Sequence, residues 1–154
     1  MVDFLVIGPY NAITYNEVFP LFKDDDVGFG WNRVVEFENG VKFGNIRWFS
    51  NVSDHYPPEL VLSKRYDDGY KKFDNYDAIN IDRIKDIPGD YMGLIGVPIT
   101  FLDSYNKRQF DIVGFLNNGC RLDENGLQGN NGIQMTLVGG VCKYFRILIK
   151  KKIS

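Results

Sequence analysis

The sequence predicts an α/β fold: the C-terminal portion of an open, doubly wound sheet, followed by an irregular α+β region. Three observations support this prediction. Residues 4–7 are a continuous apolar run stopped by Gly8-Pro9, residues 11–23 carry apolar side chains at roughly helical spacing, and a pair of β-rich stretches is joined by the turn signal Asn39-Gly40. A strand, a helix and an antiparallel hairpin in this order are typical of the last third of such a sheet.

The first two elements are predicted from the apolar pattern and its breaks. The run at residues 4–7 does not alternate with polar residues, which predicts a strand buried on both faces in a parallel sheet. Asn11 can cap the helix that follows, whereas Pro20 must kink that helix or end its regular part.

The third element is an antiparallel hairpin. Residues 27–31, 33–37 and 41–49 are rich in β-branched and aromatic side chains, and the Asn-Gly turn signal lies between the last two stretches. We therefore assign residues 1–53 to the C-terminal part of the doubly wound sheet.

Residues 54–154 have a different composition, with many Tyr, Asp, Lys and Asn residues, and their apolar pattern predicts no long amphipathic helix. We predict short strands in an irregular α+β region, a mobile loop at the Gly- and Asn-rich residues 117–132, and a final strand at residues 141–149 with a basic tail at 150–152. The apolar runs that predict the short strands are residues 60–62, 78–81, 94–97 and 110–116.

Composition limits the possible classes of function. The 154 residues include 44% hydrophobic and 15% aromatic side chains, enough for a folded core. The net charge is −2 and the pI about 5.4, so any nucleic-acid binding needs a local patch. The apolar runs are far shorter than the roughly 20 residues of a membrane span, and Asp3 stands where a signal peptide is basic, so we expect a cytoplasmic protein with no membrane partner.

The residue pattern offers no catalytic, metal or cofactor site. His55 is the only histidine and no G-x-S-x-G serine accompanies it, so we interpret it as a surface residue. The glycines at 28 and 30, and at 139 and 140, do not extend to a nucleotide-binding motif and fit hairpins better. The two cysteines lack C-x-x-C spacing, and three consecutive acids at 24–26 are typical of a solvated turn.

Basic residues interleaved with aromatics suggest a DNA surface, since cations contact phosphates and aromatic rings stack on bases. Against this, residues 59–111 contain 8 Lys or Arg but 10 Asp or Glu, and composition alone favours a solvated surface of mixed charge. Asn106 or Asn117 could contact adenine, but spacing does not decide between them. The DNA-binding candidates are Lys64, Arg65, Lys71, Lys72, Arg83, Lys85, Lys107 and Arg108, and the accompanying aromatics are Tyr66, Tyr70, Phe73, Tyr76 and Tyr105.

Several ordered stretches resemble the EcoRI type of adenine-specific DNA methyltransferase, a family of bacterial restriction and modification. One is the segment FGNIRWFSN at residues 43–51, which is similar to the family's NI-R-WF-TN strand. Residues 4–21 resemble the strand and helix that follow the family's catalytic motif. The other stretches, in the family's order, are residues 76–80, 85–88, 96–102 and the closing YFRILI at 144–149.

The resemblance implies a partial enzyme. The complete family enzyme uses S-adenosylmethionine, held by an F-x-G-x-G turn, and an Asn/Asp-Pro-Pro-aromatic tetrapeptide that binds the amine of the flipped adenine. Neither motif occurs here, because the sequence at residues 56–59 reads Tyr-Pro-Pro-Glu and the glycines at 28 and 30 lie too late in the chain. Whether this chain is itself an enzyme is therefore left open, with no catalytic and no cofactor residue assigned.

Two hypotheses follow from the resemblance. In the first, the chain is the C-terminal part of a DNA methyltransferase, supplies DNA recognition from residues 54–132 and is inactive alone, and it either pairs with a separate N-terminal half or is a relic of truncation. In the second, it is a non-catalytic scaffold or interaction module that has lost DNA binding. Because the strand at residues 4–7 would lose one neighbour, we also expect a homodimer through that open edge.

Overall fold

The computed structural model describes residues 2–33, 36–42, 44–52, 56–116, 120–123, 126–129 and 136–153. These residues form an α/β structure with many strands and few, short helices. The chain divides into two compact units, residues 1–55 and 56–154. None of the described helices has the length and apolar character needed to cross a membrane.

The first unit contains a three-stranded sheet with β3 (Ile46–Ser50) in the centre, between β1 (Leu5–Pro9) and β2 (Gly28–Arg33). Because β3 is antiparallel to both neighbours, β1 and β2 run parallel to each other. The connection from β1 to β2 contains a 3-10 helix, Tyr10–Thr14, and one α-helical segment, α1 (Phe19–Lys23).

The hairpin prediction is confirmed. Strands β2 and β3 pair, and the connection continues their pairing with a bridge between Glu36 and Lys42. At the turn, Gly40 has a φ of 78° and donates its N–H to the Phe37 carbonyl at 2.8 Å. A positive φ is the conformation for which glycine is favoured, so the Asn-Gly signal and the observed turn agree.

Two other predictions for this unit are wrong. The single helix predicted at residues 11–23 is instead a 3-10 helix followed by the short α1. Pro20 lies in the first turn of α1, where a backbone N–H has no partner within the helix, so a proline is tolerated there. Strand β1 is not buried on both faces: Leu5, Val6 and Ile7 are 58%, 49% and 42% exposed. The reason is that β1 lies at the edge of its sheet and pairs only with the antiparallel β3.

An aromatic cluster holds the helical segments against one face of this sheet. Phe22 of α1 lies 4.9 Å from Phe29 of β2 and 5.8 Å from Phe49 of β3, measured between ring centroids. Tyr10 of the 3-10 helix packs 5.3 Å from Phe29, and the guanidinium of Arg47 lies 4.5 Å above the Tyr10 ring. Such pairs add about 0.5–1.5 kcal/mol each to simple burial.

The second unit is built on a five-stranded mixed sheet with the order β4-β5-β6-β12-β7, in which only β5 and β6 are parallel. Two hairpin-like pairs, β8 with β9 and β10 with β11, complete the described strands. The strands are β4 (Lys72–Phe73), β5 (Tyr76–Asn80), β6 (Leu94–Pro98), β7 (Phe110–Leu116), β8 (Cys120–Asp123), β9 (Gly126–Gly129), β10 (Leu137–Val138), β11 (Val141–Cys142) and β12 (Arg146–Lys151), with 3-10 helices at Ile84–Asp86 and Ile99–Ser104.

The predicted strands at residues 78–81, 94–97 and 110–116 correspond to β5, β6 and β7. Residues 60–62 form no strand. The loop predicted at residues 117–132 is wrong where the structure describes it, because β8 and β9 form a hairpin there; the remaining residues of that segment lie outside the described part. The single strand predicted at residues 141–149 is instead two strands, β11 and β12.

The buried side chains of the large sheet follow from its register. Ile147 lies opposite Val97, and Ile149 lies opposite Ile95, which in turn lies opposite Ile79, so these five share one face. All five have no exposed surface. The opposite face packs a second cluster, formed by Phe73, Ala78, Leu116, Val138 and Leu148.

Gly96 of β6 is the position where this second cluster tolerates no side chain. A Cβ on Gly96 would lie 2.5 Å from the ring of Phe73, which is only 4% exposed and has little room to move. We expect Gly96→Ala to lower the free energy of unfolding by about 1–3 kcal/mol through overpacking. Urea unfolding measures this, with Gly114→Ala as the control: a Cβ there meets no atom within 4 Å, so that variant should be as stable as the parent.

Candidate nucleic-acid interface

The described part of the second unit contains an open cleft of about 600 Å³ on which basic residues converge. We call it the basic cleft. Five cations and two acids line it, a local excess of positive charge in a chain whose net charge is −2. The lining residues are Glu59, Leu60, Leu62, Ser63, Lys64, Arg65, Gly89, Asp90, Arg108, Gln109, Lys151 and Lys152.

The first wall of the basic cleft is the extended segment 59–65, which is fixed through the side-chain amide of Gln109. The Gln109 amide nitrogen donates to the Leu60 carbonyl at 2.7 Å, and its amide oxygen accepts the Leu60 N–H at 2.8 Å. The Gln109 side chain therefore pairs with the Leu60 backbone as a neighbouring strand would. Because Gln109 directly follows Arg108, this contact places the segment near Leu60 beside Arg108.

The other end of this segment is fixed by backbone contacts at residues 88–90. Lys64 forms a parallel bridge with Pro88, and Gly89 donates its N–H to the Lys64 carbonyl at 2.9 Å. A Cβ on Gly89 would lie 2.9 Å from the Leu62 carbonyl oxygen, so only glycine permits this approach. Arg65 is thereby placed on the same cleft as Arg108, although 43 residues separate them in the sequence.

The C-terminal strand supplies the remaining cations. The Lys152 N–H donates to the Gln109 carbonyl at 2.9 Å, and the Lys151 ammonium donates to the Gly89 carbonyl. The Lys152 ammonium also pairs with Asp111 at 2.9 Å. The sequence predicts a basic tail here, whereas Lys150 and Lys151 belong to β12 and Lys151 and Lys152 line the basic cleft.

The structure brings together three of the eight DNA-binding candidates. Lys64, Arg65 and Arg108 all line the basic cleft, their residues are exposed, and none forms an ion pair with an acid in the part of the chain that the structure describes. These are the cations best able to exchange water for phosphate oxygens.

The other five candidates do not line the cleft. Lys72 pairs with Asp77 at 3.0 Å, and Arg83 pairs with Asp86 at 2.8 Å, so an acid offsets each charge. The Lys107 ammonium lies 4.4 Å above the Tyr56 ring. The remaining two, Lys71 and Lys85, are exposed away from the basic cleft.

Most of the aromatic residues proposed for base stacking have structural partners. Phe73 is buried in the core, and Tyr105 packs 6.1 Å from Phe101. Tyr66 stacks on Tyr70 at 5.6 Å and contacts Tyr91 at 4.5 Å, again measured between ring centroids. Burial, aided by the carboxylate of Asp67, raises the pKa of Tyr70, so its phenol remains a neutral donor.

Asn106 does not read DNA from its present position. It is 6% exposed, its amide nitrogen donates to the Pro57 carbonyl at 2.7 Å, and its amide oxygen accepts the Arg108 N–H at 2.8 Å. Its role is to fix the turn that presents Arg108. The other candidate, Asn117, lies outside the described residues, as does His55.

Arg146 of the closing YFRILI stretch is also structural. It is 6% exposed and donates to Asp82 at 2.8 Å and to Asn80 at 3.0 Å. Burial by itself would raise the pKa of Asp82, but the hydrogen bonds from Asn80 and Arg146 and the charge of Lys143 outweigh it, and the pKa is lowered. The pair stays charged, and Arg146 is not available to a ligand.

The glycine pairs have contacts within the protein. Gly30 lies within β2, where a Cβ would lie 2.6 Å from the Cβ of Trp48, so this glycine serves strand packing. Gly139 and Gly140 have φ of 56° and 74° between β10 and β11, and both donate their N–H groups to the Asp74 carboxylate at 2.7 Å. The described residues also contain no cluster of acidic, His or Cys side chains that could hold a metal.

The individual proteins to which the chain is similar are type II methyltransferases. The chain is 36% identical over 181 aligned residues to the type II methyltransferase M.MgeORF184P of Mycoplasma genitalium and 34% identical over 180 to the type II methyltransferase M.EcoRI of Escherichia coli. It is 31% identical over 181 to the type II methyltransferase M.MpnI of Mycoplasma pneumoniae. Each match covers 97% of this chain.

The family follows from a second comparison. Residues 32–152 match the family model described as adenine-specific methyltransferase EcoRI, and the chain belongs to this family. The resemblance drawn from the sequence is thus confirmed. The chain spans about half the length of the relatives it matches: 57% of M.MgeORF184P, 50% of M.EcoRI and 57% of M.MpnI. No solved structure matches it significantly.

Proposed function

We propose that this chain is the C-terminal, DNA-recognising part of an adenine-specific DNA methyltransferase of restriction and modification, and that it is not active alone. Family membership and the matched half of each relative support the first statement. The absence of both the F-x-G-x-G turn and the Asn/Asp-Pro-Pro-aromatic tetrapeptide from the sequence supports the second.

The observation that carries the DNA-binding role is the basic cleft. Three cations without acidic partners, Lys64, Arg65 and Arg108, lie on one concave surface in the described part of the chain, and Lys151 and Lys152 extend it. Phosphates supply most of the affinity in DNA binding, and cations in a cleft focus the positive potential. The basic cleft therefore contacts the DNA backbone, which positions the protein without itself reading sequence.

Within this proposal, residues 1–53 are the end of a doubly wound catalytic sheet and residues 54–154 the target-recognition region. The parallel direction of β1 and β2, with a helical connection between them, agrees with the end of such a sheet. S-adenosylmethionine belongs to the complete enzyme, and no residue of this chain is assigned to it.

Fluorescence anisotropy with a labelled duplex of mixed sequence tests the proposal. We expect binding with a Kd of roughly 10⁻⁴ to 10⁻⁶ M near physiological salt, tightening steeply as salt falls. The alternative function, a scaffold that has lost DNA binding, predicts no change in anisotropy at low salt. A Kd independent of salt would also contradict phosphate contacts in the basic cleft.

A further inference from the structure

Three tyrosine rings pack together beside the basic cleft, and we call Tyr66, Tyr70 and Tyr91 the tyrosine cluster. Tyr66 contacts both of the other rings, at the centroid distances given above. Arg65, which directly precedes Tyr66, lines the basic cleft. Asp90 directly precedes Tyr91, also lines the cleft, and accepts the Tyr66 N–H at 2.7 Å. The tyrosine cluster is therefore continuous with the wall of the basic cleft.

The rings of the tyrosine cluster keep part of their surface exposed. All three tyrosines are half-buried. The edge-to-face pair of Phe101 and Phe110 in the same unit has, in contrast, no exposed surface. Aromatic rings that served only the core would be covered in the same way, so the tyrosine cluster offers aromatic surface that a ligand can reach.

Contacts within the protein also fix two of these rings. The Tyr70 hydroxyl donates to the Asp86 carbonyl at 2.9 Å. The Tyr91 ring packs against Gly93, where a Cβ would come 2.5 Å from the Tyr91 hydroxyl oxygen. Because the rings are already ordered, a ligand that stacks on them loses less affinity to the cost of ordering side chains.

The charges around the tyrosine cluster differ from those in the basic cleft. Burial raises the pKa of Tyr70, and so does the negative charge of three nearby carboxylates. These carboxylates are those of Asp67, Asp86 and Asp90. Carboxylates repel phosphate groups, so the tyrosine cluster suits the uncharged part of a nucleotide, which is its base. The phosphates of the same strand have their place among the cations of the adjacent cleft.

We propose that the tyrosine cluster is a stacking site for an unpaired DNA base of a strand whose phosphates lie in the basic cleft. The inference rests on the proposed function and adds a contact for the base to the contacts for the backbone. A base within a duplex has both faces covered by its neighbours, whereas an unpaired base can expose a face to an aromatic ring. Such stacking tolerates any sequence, because every base has a π-face.

Fluorescence anisotropy of the full chain with two labelled DNAs tests this site. Each DNA is a duplex of mixed sequence that carries a single-stranded tail of about six nucleotides, within the length that such grooves bind. The tail consists of thymidines in one DNA and of abasic nucleotides in the other, so the phosphates are the same. At one salt concentration we expect the thymidine tail to bind about fivefold more tightly or better, which is the lower end of what stacking contributes per base.

Substitutions of the central ring locate the effect. Tyr66→Leu keeps an apolar side chain but removes the ring, and it should reduce the preference for the thymidine tail to about twofold or less. Tyr66→Phe keeps the ring and should keep the preference. The matched control is Tyr144→Leu, because Tyr144 is 82% exposed and lies before β12, at the opposite end from Lys151. Urea unfolding verifies that each variant is folded.

Equal affinity of the parent for the two tails would overturn the stacking site, and this comparison needs no variant. A preference that Tyr66→Leu retains, or that Tyr144→Leu loses as well, would also overturn it. A blunt duplex without a tail measures the backbone contacts separately. Binding of the blunt duplex with equal affinity for the two tails rejects only the stacking site. A preference for the thymidine tail without binding of the blunt duplex rejects only duplex binding by the basic cleft, and binding of none of these DNAs rejects both.

Discussion

Reversing three cations of the basic cleft that pair with no acid, Lys64→Glu, Arg65→Glu and Arg108→Glu together, is expected to weaken duplex binding at low salt by about 100-fold or more. Each charge-assisted contact with a phosphate is worth roughly 1.5 kcal/mol or more, so three of them account for at least this factor. The three residues are exposed and make no side-chain contact that holds the fold together in the described part of the chain, so the variant should unfold at the parent's urea concentration.

A matched triple variant separates the place of the charges from their number. Lys71→Glu, Lys72→Glu and Arg83→Glu change the net charge by the same amount, and all three positions lie outside the basic cleft. Measured in the same buffer, this variant should lose much less affinity than the cleft variant, because charges outside the cleft act on the DNA only through the long-range field. Equal losses in the two triple variants would mean that net charge, and not the basic cleft, determines binding.

The second large effect concerns catalysis. The chain alone is expected to transfer no methyl group to DNA and to bind no S-adenosylmethionine, since the motifs for cofactor and adenine are missing and the glycine pairs have structural roles. Tritiated-methyl incorporation into DNA of mixed sequence, together with calorimetry of cofactor binding, measures this. Incorporation at background level is the predicted result.

Adding the part of a relative that lies outside its match with this chain provides the positive counterpart of that experiment. A mixture of this chain with the part of M.MgeORF184P outside its match should incorporate methyl groups above background, because the proposed function assigns to that part the two motifs that this sequence lacks. M.EcoRI serves as the positive control for the assay. Turnover by this chain alone would contradict the assignment of the catalytic motifs to another part of the enzyme.

Local signals in the sequence predict local structure well. Asn39-Gly40 specifies the turn that joins β2 to β3, and the apolar runs specify β5, β6 and β7. The hairpin of β8 and β9 is not predicted, although Asn125-Gly126 carries the same turn signal, because a high content of Gly and Asn is equally typical of a loop.

Features that depend on distant partners could not be predicted from the pattern. The apolar run of β1 indicates a buried strand, but burial requires neighbours that the described chain does not provide. Similarly, no spacing rule shows that Arg65 and Arg108 share a cleft, because the contact between Gln109 and Leu60 that joins their segments spans 49 residues. Acids neighbouring Lys72 and Arg83 in the fold likewise decide which cations remain unpaired.

The salt dependence of duplex binding is the most direct measurement of the central claim, that the basic cleft binds the DNA backbone. For each phosphate that a variant no longer neutralises, the slope of log K against log salt should decrease in magnitude by about 0.9. Between about 50 and 200 mM salt, the variant Lys64→Gln, Arg65→Gln, Arg108→Gln should therefore have a slope smaller than the parent's by about 2 to 3. An unchanged slope in that variant, or a parent chain that does not bind duplex DNA at all, would contradict the claim.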